Sequence, residues 1–132
     1  MKITVIGVGK IKEKYFTDAI KEYAKRLSRY CKLEIVEVAD EKTPDGASET
    51  LNAQIKEKEG MRILQKIPES AYVVALAIDG KMLDSEELAA QMERWNVGGI
   101  SQIVFVIGGS LGLAPAVLQR ADYKLSFSPM TF

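Results

Sequence analysis

The sequence contains no histidine and only one cysteine, Cys31. A single thiol excludes an internal disulfide and a thiolate metal cluster. The absence of histidine excludes, within these 132 residues, a histidine general base, a Ser-His-Asp triad and a His-ligated zinc site. We therefore expect no bound metal, and the sequence identifies no catalytic base.

The chain also lacks an excess of charge of either sign. Its 18 Lys and Arg balance 18 Asp and Glu, which argues against strong electrostatic binding of bare nucleic acid. Residues 1–40 carry nine basic against six acidic side chains, and a solvated helix surface explains this modest bias better than a phosphate-binding face does.

Long hydrophobic runs are missing as well. No apolar stretch approaches the ~20 residues that a bilayer span requires. The N terminus has a lysine followed by apolar residues, but it lacks the small-residue cleavage site of a signal peptide. We expect a cytoplasmic protein without a membrane segment.

Hydrophobic residues (47%) and charged residues (27%) are present in the proportions of an ordinary globular chain, and the length fits one domain, residues 1–132. Two hydrophobic periodicities alternate along it. Short apolar runs predict strands at residues 2–9, 33–38, 71–78, 103–107 and 123–126. Helical spacing predicts helices at residues 13–30, 49–67, 86–95 and 115–120. This alternation predicts an α/β fold, with a mostly parallel sheet and helices on both faces.

Local signals refine this pattern. Ser85 is a candidate N-cap for the third helix, and Gly98-Gly99 closes it. Asp79-Gly80 predicts a turn after the third strand, and residues 40–48 form the clearest loop. Gly60 lies inside the second helix, where it predicts a kink or close packing.

In parallel sheets, ligands bind at the carboxyl ends of strands, near a topological switch point. This rule singles out the loops after Ile78, Ile107 and Ser126. Gly108-Gly109 directly follows the fourth strand, where the missing side chains allow backbone to approach a flat ligand. The run matches neither a P-loop nor the dinucleotide fingerprint. Spacing alone leaves a tight turn and a binding loop as equal alternatives.

For five other candidates the residues favour structural roles. Gly7-x-Gly9 lacks the third glycine of a cofactor loop. Asp79 follows a strand and could act as an acid, although an Asp-Gly carboxylate usually caps its own backbone. Cys31 suits a packed small side chain, Trp95 a core residue or an interface anchor, and Arg120 a salt bridge or a solvated group.

Two segments favour a binding loop over a simple tight turn at Gly108-Gly109. IVFVIGGSLGL (residues 103–113) and VLQRADYKLSFSPMTF (residues 117–132) together closely resemble the ribosomal RNA large subunit methyltransferase H family, within the SPOUT superfamily of knotted methyltransferases. Residues 1–30 and KEKEGMRIL (residues 56–64) are similar to that family too, so the resemblance spans the chain.

The resemblance implies transfer of a methyl group from S-adenosylmethionine to N3 of a pseudouridine in 23S rRNA, on assembled ribosomes, by a homodimer that needs no metal. It implies a SPOUT-type knot fold. Its cofactor contacts map here onto eight residues: Leu76, Gly108, Phe127, Ser128, Pro129, Met130, Thr131 and Phe132. Leu76 and Phe127 can supply apolar walls for adenine, and Gly108 admits the backbone.

The sequence departs from the family at its end. Members continue past the Met-Thr-Phe with a further helix and tail, which thread the knot and supply histidine and arginine for RNA contact and proton removal. Here the chain stops at Phe132. We therefore expect a C-terminally incomplete domain that binds the cofactor weakly and has little activity.

Two other functions remain open from the residues. One is a non-catalytic nucleotide- or ribosome-binding α/β module that keeps the scaffold without the chemistry. The other is a flavodoxin-like flavin protein, which the scarcity of hydroxyl side chains near Gly108-Gly109 disfavours.

Overall fold

The computed structural model describes residues 1–11, 14–27, 31–109 and 111–127, which form five strands and four helices. The strands are β1 (Lys2–Val8), β2 (Lys32–Val38), β3 (Tyr72–Leu83), β4 (Gln102–Ile107) and β5 (Tyr123–Phe127). The helices are α1 (Lys14–Leu27), α2 (Glu49–Gln65), α3 (Ser85–Val97) and α4 (Pro115–Arg120). No described helix is long and apolar enough to cross a membrane.

The strands form one sheet in the order β2-β1-β4-β3-β5, and every pairing is parallel. This confirms the predicted α/β class. Strands β1, β4 and β3 occupy the inner positions, and β1 and β4 are almost wholly buried, as their continuous apolar runs predict. Strand β2 lies at an edge, where Glu34 and Glu37 are exposed between its apolar positions.

Each face of the sheet carries its own hydrophobic cluster. On one face, α1 and α3 pack against the sheet, and Phe16 meets Phe105 edge-on with ring centroids 5.4 Å apart. On the other face, α2 and α4 contribute Ile63 and Val117 to a second cluster. The two clusters are separated only by the sheet, because successive side chains on a strand point to opposite faces.

Close packing, one of the two outcomes predicted for Gly60, is what the structure shows. A Cβ at this position would lie 2.9 Å from the Cβ of Ala114 and 3.2 Å from Cγ2 of Val117. Helix α2 therefore approaches the start of α4 closely because residue 60 has no side chain.

Strand β3 differs from its predicted end. The pairing with β5 does not stop at Asp79-Gly80, because Leu76 and Lys81 both pair with Leu125 and the strand continues to Leu83. Residues 77–80 leave the ladder and return. Gly80 makes the return possible, since a Cβ there would lie 2.7 Å from the backbone nitrogen of Leu125. Ile78, within this excursion, is completely exposed.

The cap of α3 also differs from the prediction by one residue. The N-cap is Asp84 rather than Ser85: Asp84 Oδ1 accepts a hydrogen bond from the backbone N–H of Glu87 at 2.8 Å. Glu87 Oε1 in turn accepts from the backbone N–H of Asp84 at 3.1 Å. This reciprocal pair is a capping box, which satisfies two N–H groups at once, and it selects Asp84 over its neighbour.

Candidate active site

The switch point of the sheet lies between β1 and β4. These neighbouring parallel strands end at the same edge, but the chain leaves β1 for the face of α1 and leaves β4 for the face of α4. Loops that diverge in this way open a crevice at the carboxyl ends of the strands. The loop after Val8 therefore joins the loop after Ile107 at a candidate binding crevice, which the sequence did not predict.

A cavity of about 330 Å³ occupies this crevice; we refer to it as the β1–β4 cavity. Glycine backbone lines it from two loops, and three carboxylates and one lysine contribute side chains. Its lining consists of Gly7, Val8, Gly9, Lys10, Ile11, Asp40, Glu41, Glu59, Ile107, Gly108 and Gly109. A volume of this size is within the range of small-molecule sites.

The glycine segment after β4 is a closed turn. Gly109 accepts a hydrogen bond from the N–H of Gly112 at 3.0 Å, and the two residues form an isolated antiparallel bridge. A Cβ at Gly108 would lie 2.5 Å from the carbonyl carbon of Gly112, so no side chain fits there without moving backbone. The two alternatives left by the spacing are therefore compatible: the segment is a tight turn that also lines a cavity.

Glu59 is the most unusual side chain of the cavity. It lies on α2 and is only 5% exposed, although it is charged. Its Oε2 accepts a hydrogen bond from the backbone N–H of Glu41 at 3.0 Å. Its Oε1 faces the glycine turn, because a Cβ at Gly109 would lie 3.2 Å from that oxygen.

Glu41, in the loop after β2, is a second carboxylate of the cavity lining, and it is paired with an arginine. Arg62 Nη2 lies 2.6 Å from Glu41 Oε1, and Arg62 Nη1 donates to the backbone carbonyl of Ala39 at 2.8 Å. This clamp fixes the loop after β2 against α2. It leaves Asp40 and Glu59 as the acidic groups of the cavity that have no cationic partner among the described residues. Exposed Lys10 is the basic group of the lining.

Three of the eight residues predicted for cofactor binding lie in the described part of the chain. Gly108 lines the β1–β4 cavity. Leu76 is half-buried at the last regular pair before the β3 excursion, opposite Leu125. Phe127 is buried, with its ring 5.3 Å from that of Phe16 and stacked 5.6 Å from that of Tyr15.

The remaining five predicted cofactor residues lie outside the described residues: Ser128, Pro129, Met130, Thr131 and Phe132. Strands β3 and β5, which carry Leu76 and Phe127, lie on the opposite side of β4 from β1. Gly108 therefore stands where the predicted cofactor residues and the β1–β4 cavity adjoin.

Two residues considered in the sequence have packing roles. Cys31 is half-buried against the α1–α3 cluster, and burial raises the pKa of its thiol above the ordinary value, which disfavours the reactive thiolate. Trp95 belongs to the core: its ring lies 5.0 Å from that of Tyr72 and 5.3 Å from that of Tyr123. Burial, the largest cause, also raises the pKa of the Tyr72 phenol.

Arg120 acts as a structural clamp. Its Nη2 donates to the carbonyls of Ala71 and Glu69 at 2.9 and 3.1 Å, and its Nη1 lies 3.3 Å from Asp122 Oδ2. It thus ties the end of α4 to the segment that leads into β3. Asp79 is exposed within the β3 excursion, away from the cavity lining.

Sequence reasoning missed Glu59 and the loop after β1 as parts of a site. Signals for both were present: KEKEGMRIL (residues 56–64) was among the segments that carry the family resemblance, and Gly7-x-Gly9 follows a strand. Across the described ranges, no group of three or more Asp, Glu, Cys or His side chains is arranged to hold a metal ion.

The chain is similar to known proteins over its whole length. Residues 1–132 match the family described as Predicted SPOUT methyltransferase. The chain is 64% identical to ribosomal RNA large subunit methyltransferase H of Bifidobacterium adolescentis, 61% to that of Bifidobacterium animalis subsp. lactis and 59% to that of Clostridium beijerinckii. Each comparison covers 100% of this chain and 83% of the relative.

The family match and the close relatives both cover all 132 residues of the chain, and they agree on its family. The chain is a methyltransferase of the SPOUT family and belongs, within it, to the ribosomal RNA large subunit methyltransferase H group.

Proposed function

We propose that this protein transfers a methyl group from S-adenosylmethionine to N3 of a pseudouridine in the 23S rRNA of the assembled ribosome. The observation that carries the proposal is identity of about 60% over all 132 residues with proteins named for methylation of large-subunit ribosomal RNA. The donor and the acceptor atom follow from the resemblance of the glycine turn and the closing segment to that family.

The described residues fit such a donor. The turn at Gly108 presents backbone without a side chain, and half-buried Leu76 offers an apolar surface on the neighbouring strand. We propose Leu76, Gly108 and Phe127, together with residues 128–132, as the cofactor site. When bound, S-adenosylmethionine supplies a methyl group on a sulfonium sulfur, which is activated for direct transfer.

The protein's own task is then largely positional. A displacement at carbon requires the acceptor nitrogen and the methyl group to be aligned at near-contact distance, with water excluded. A site built on strand ends and a closed turn suits this task, since rigid elements hold geometry better than long loops do.

Three further features complete the proposal. We propose that residues 1–132 form a single domain, that the enzyme acts as a homodimer, and that it works in the cytoplasm, where its ribosomal substrate is found. The balanced net charge supports recognition of a shaped site on the ribosome over attraction to bare RNA.

The test is transfer of radiolabelled methyl from S-adenosylmethionine to ribosomes from a strain that lacks the modification. The 132-residue chain and the chain extended by the C-terminal segment that the family resemblance predicts are assayed in parallel. We expect label in 23S rRNA as N3-methylpseudouridine, identified by nuclease digestion and mass spectrometry, with more label from the extended chain.

Gly108→Ala is the diagnostic variant, because the added Cβ collides with backbone of the turn. It is expected to abolish labelling and S-adenosylmethionine binding by calorimetry. Gly46→Ala is the control for a strained glycine away from the site: with φ at 70° alanine strains the backbone there, but nothing lies within 4 Å of the added Cβ. Ribosomes that remain unlabelled by both forms of the chain would refute the proposed function and favour a non-catalytic binding module.

A further inference from the structure

We propose that the β1–β4 cavity binds the acceptor nucleoside, and that Glu59 reads pseudouridine by accepting a hydrogen bond from its N1–H. The inference rests on the proposed function and deepens it: it assigns the second substrate to a side of the glycine turn that the cofactor residues do not occupy.

The buried Glu59 carboxylate is only partly paired. Burial of a charged group is costly unless hydrogen bonds compensate. Only Oε2 has a partner, the backbone N–H of Glu41; Oε1 has no hydrogen-bond partner among the residues that the structure describes. An unpaired acceptor oxygen on a buried side chain that lines a cavity is a place for a donor on a ligand.

The distribution of charge in the cavity also favours a nucleotide. Arg62 neutralises Glu41, so Glu59 and Asp40 remain as acceptors while Lys10 lies exposed in the cavity lining. Acceptors directed into the cavity disfavour an anionic group there and favour N–H and O–H donors. A lysine at an exposed position suits a phosphate. A nucleotide combines these features: a base and ribose that donate, and a phosphate at one end.

The position of the β1–β4 cavity relative to the proposed cofactor residues also favours the acceptor. Gly108 and Gly109 are consecutive residues of one turn, and Gly109 lies between Glu59 and Val8, facing the cavity. The proposed cofactor residues Leu76 and Phe127 lie on strands beyond β4. The two substrates are therefore separated by Gly108 and Gly109, two residues without side chains, over which a methyl group and a ring nitrogen can meet.

The base of pseudouridine carries a donor that the base of uridine lacks. In uridine the uracil is attached to ribose through N1, whereas in pseudouridine it is attached through C5, which leaves N1–H free as a donor. A carboxylate oxygen therefore binds pseudouridine and finds only a C–H group in uridine. Since N1 and N3 flank the same carbonyl carbon, anchoring N1–H also fixes the direction of N3. A buried polar group left unpaired by the wrong substrate gives strong discrimination.

Glu59→Gln tests this role with little change of shape. The backbone N–H of Glu41 still requires an acceptor, so the amide oxygen takes that place and the NH₂ group faces the cavity. The acceptor for N1–H thus becomes a donor. The matched control is Glu57→Gln, the same change at an exposed position of the same helix.

Binding is measured by NMR titration with pseudouridine 5′-monophosphate and uridine 5′-monophosphate, following the backbone amides of Gly7, Gly9 and Gly109. The unaltered chain is expected to prefer the pseudouridine compound. Glu59→Gln is expected to weaken its binding about tenfold to a hundredfold and to abolish the preference, as loss of a hydrogen bond to a charged group predicts. Glu57→Gln is expected to behave as the unaltered chain.

Lys10→Gln provides a second variant at an exposed residue, in case Glu59→Gln does not fold. It is expected to weaken both monophosphates equally and to leave the preference between them intact. Equal binding of the two monophosphates by the unaltered chain, or no shift at the three glycines, would overturn the inference.

Two further outcomes also count against it. If Glu59→Gln matches Glu57→Gln in every titration, Glu59 has no recognition role. If it weakens S-adenosylmethionine binding in calorimetry but preserves the preference for pseudouridine, Glu59 belongs to the cofactor site. The NMR titrations need no methyl transfer, so the two proposals can fail separately. Unlabelled ribosomes would refute the proposed function, whereas a preference for pseudouridine that depends on Glu59 would still support this inference.

Discussion

Tyr23 shows how a single buried side chain couples this fold to pH. Its phenol is 5% exposed between α1 and α3, and its O–H donates to Glu93 Oε2 at 3.1 Å. Burial, reinforced by the hydrogen bond and charge of Glu93, raises the pKa of Tyr23 well above its ordinary value of 10.0. Loss of this proton is therefore much less favourable in the folded chain than in the unfolded one.

The sign of the effect on stability follows from linkage. Above pH 10 the unfolded chain loses the Tyr23 proton while the folded chain retains it, so the free energy of unfolding falls as pH rises. Tyr23→Phe is expected to make this decline shallower above pH 10, and to cost about 1 kcal/mol at neutral pH through the lost hydrogen bond. Urea unfolding between pH 7 and 11 measures both effects.

Part of the decline is expected to remain in Tyr23→Phe, because burial also raises the pKa of Tyr72 and of Cys31. Glu93→Gln separates the causes: it removes the charge but keeps a partner for the phenol, so it is expected to reduce the slope less than Tyr23→Phe does. An identical slope in Tyr23→Phe and the unaltered chain would contradict the assignment.

The candidate site was predictable from the sequence only where its residues are adjacent in the chain. Gly108 and Gly109 follow an apolar strand directly, so their placement at a strand end was evident. Glu59 was not, because a glutamate within KEKEG has the pattern of a solvated helix face. Its burial depends on the loop after β2 and the turn after β4, which only the folded chain brings to it.

At the scale of elements, the contact between α2 and α4 depends on one missing side chain. Alanine normally stabilises a helix interior by about 1 kcal/mol relative to glycine. At Gly60 the alanine Cβ would meet the Cβ of Ala114 at 2.9 Å, closer than unstrained carbon atoms approach. Propensity and packing therefore oppose each other at this position.

We expect packing to prevail. Gly60→Ala alone should lower the free energy of unfolding by roughly 1–3 kcal/mol, the usual cost of overpacking, despite the gain in helix propensity. The double variant Gly60→Ala with Ala114→Gly moves the methyl group across the interface and should recover most of the loss. Thermal unfolding of Gly60→Ala, Ala114→Gly and the double variant gives the coupling free energy between the two positions, and a stabilising effect of Gly60→Ala alone would contradict this account.

The sequence predicted all five strands and four helices within a few residues, because buried parallel strands are continuous apolar runs and the helices repeat at their own period. The errors occurred where long-range contacts decide. The continuation of β3 past Gly80 requires the backbone of β5 beside it. The choice of Asp84 over Ser85 as N-cap depends on a reciprocal bond with Glu87.

For the molecule as a whole, two hydrophobic clusters share one sheet. Strands β1 and β4 contribute Ile3 and Ile103 to one cluster, and Ile6 and Val104 to the other. If β1 or β4 leaves the sheet, both clusters lose buried side chains at once, because each strand contributes to both. We therefore propose that residues 1–132 unfold as a single cooperative unit.

A matched pair of substitutions tests this cooperativity. Ile20→Ala on α1 and Ile63→Ala on α2 remove the same side chain from opposite faces, at positions no more than 1% exposed. Each is expected to cost about 2–5 kcal/mol. Trp95 fluorescence reports the α1–α3 face, and it should move together with far-UV circular dichroism in both variants. A Trp95 transition unmoved by Ile63→Ala would indicate two independently stable halves.

The turn at Gly108 has a consequence for how this enzyme can evolve. Every single-nucleotide change that converts a glycine codon to that of another amino acid introduces a Cβ, and at Gly108 a Cβ meets backbone at 2.5 Å. Gly108, which lies between the two proposed substrate sites, therefore cannot be replaced by a single missense change without moving the backbone of the turn. New acceptor preferences would have to arise from the side chains around it, with exposed Lys10 and Asp40 free to vary before buried Glu59.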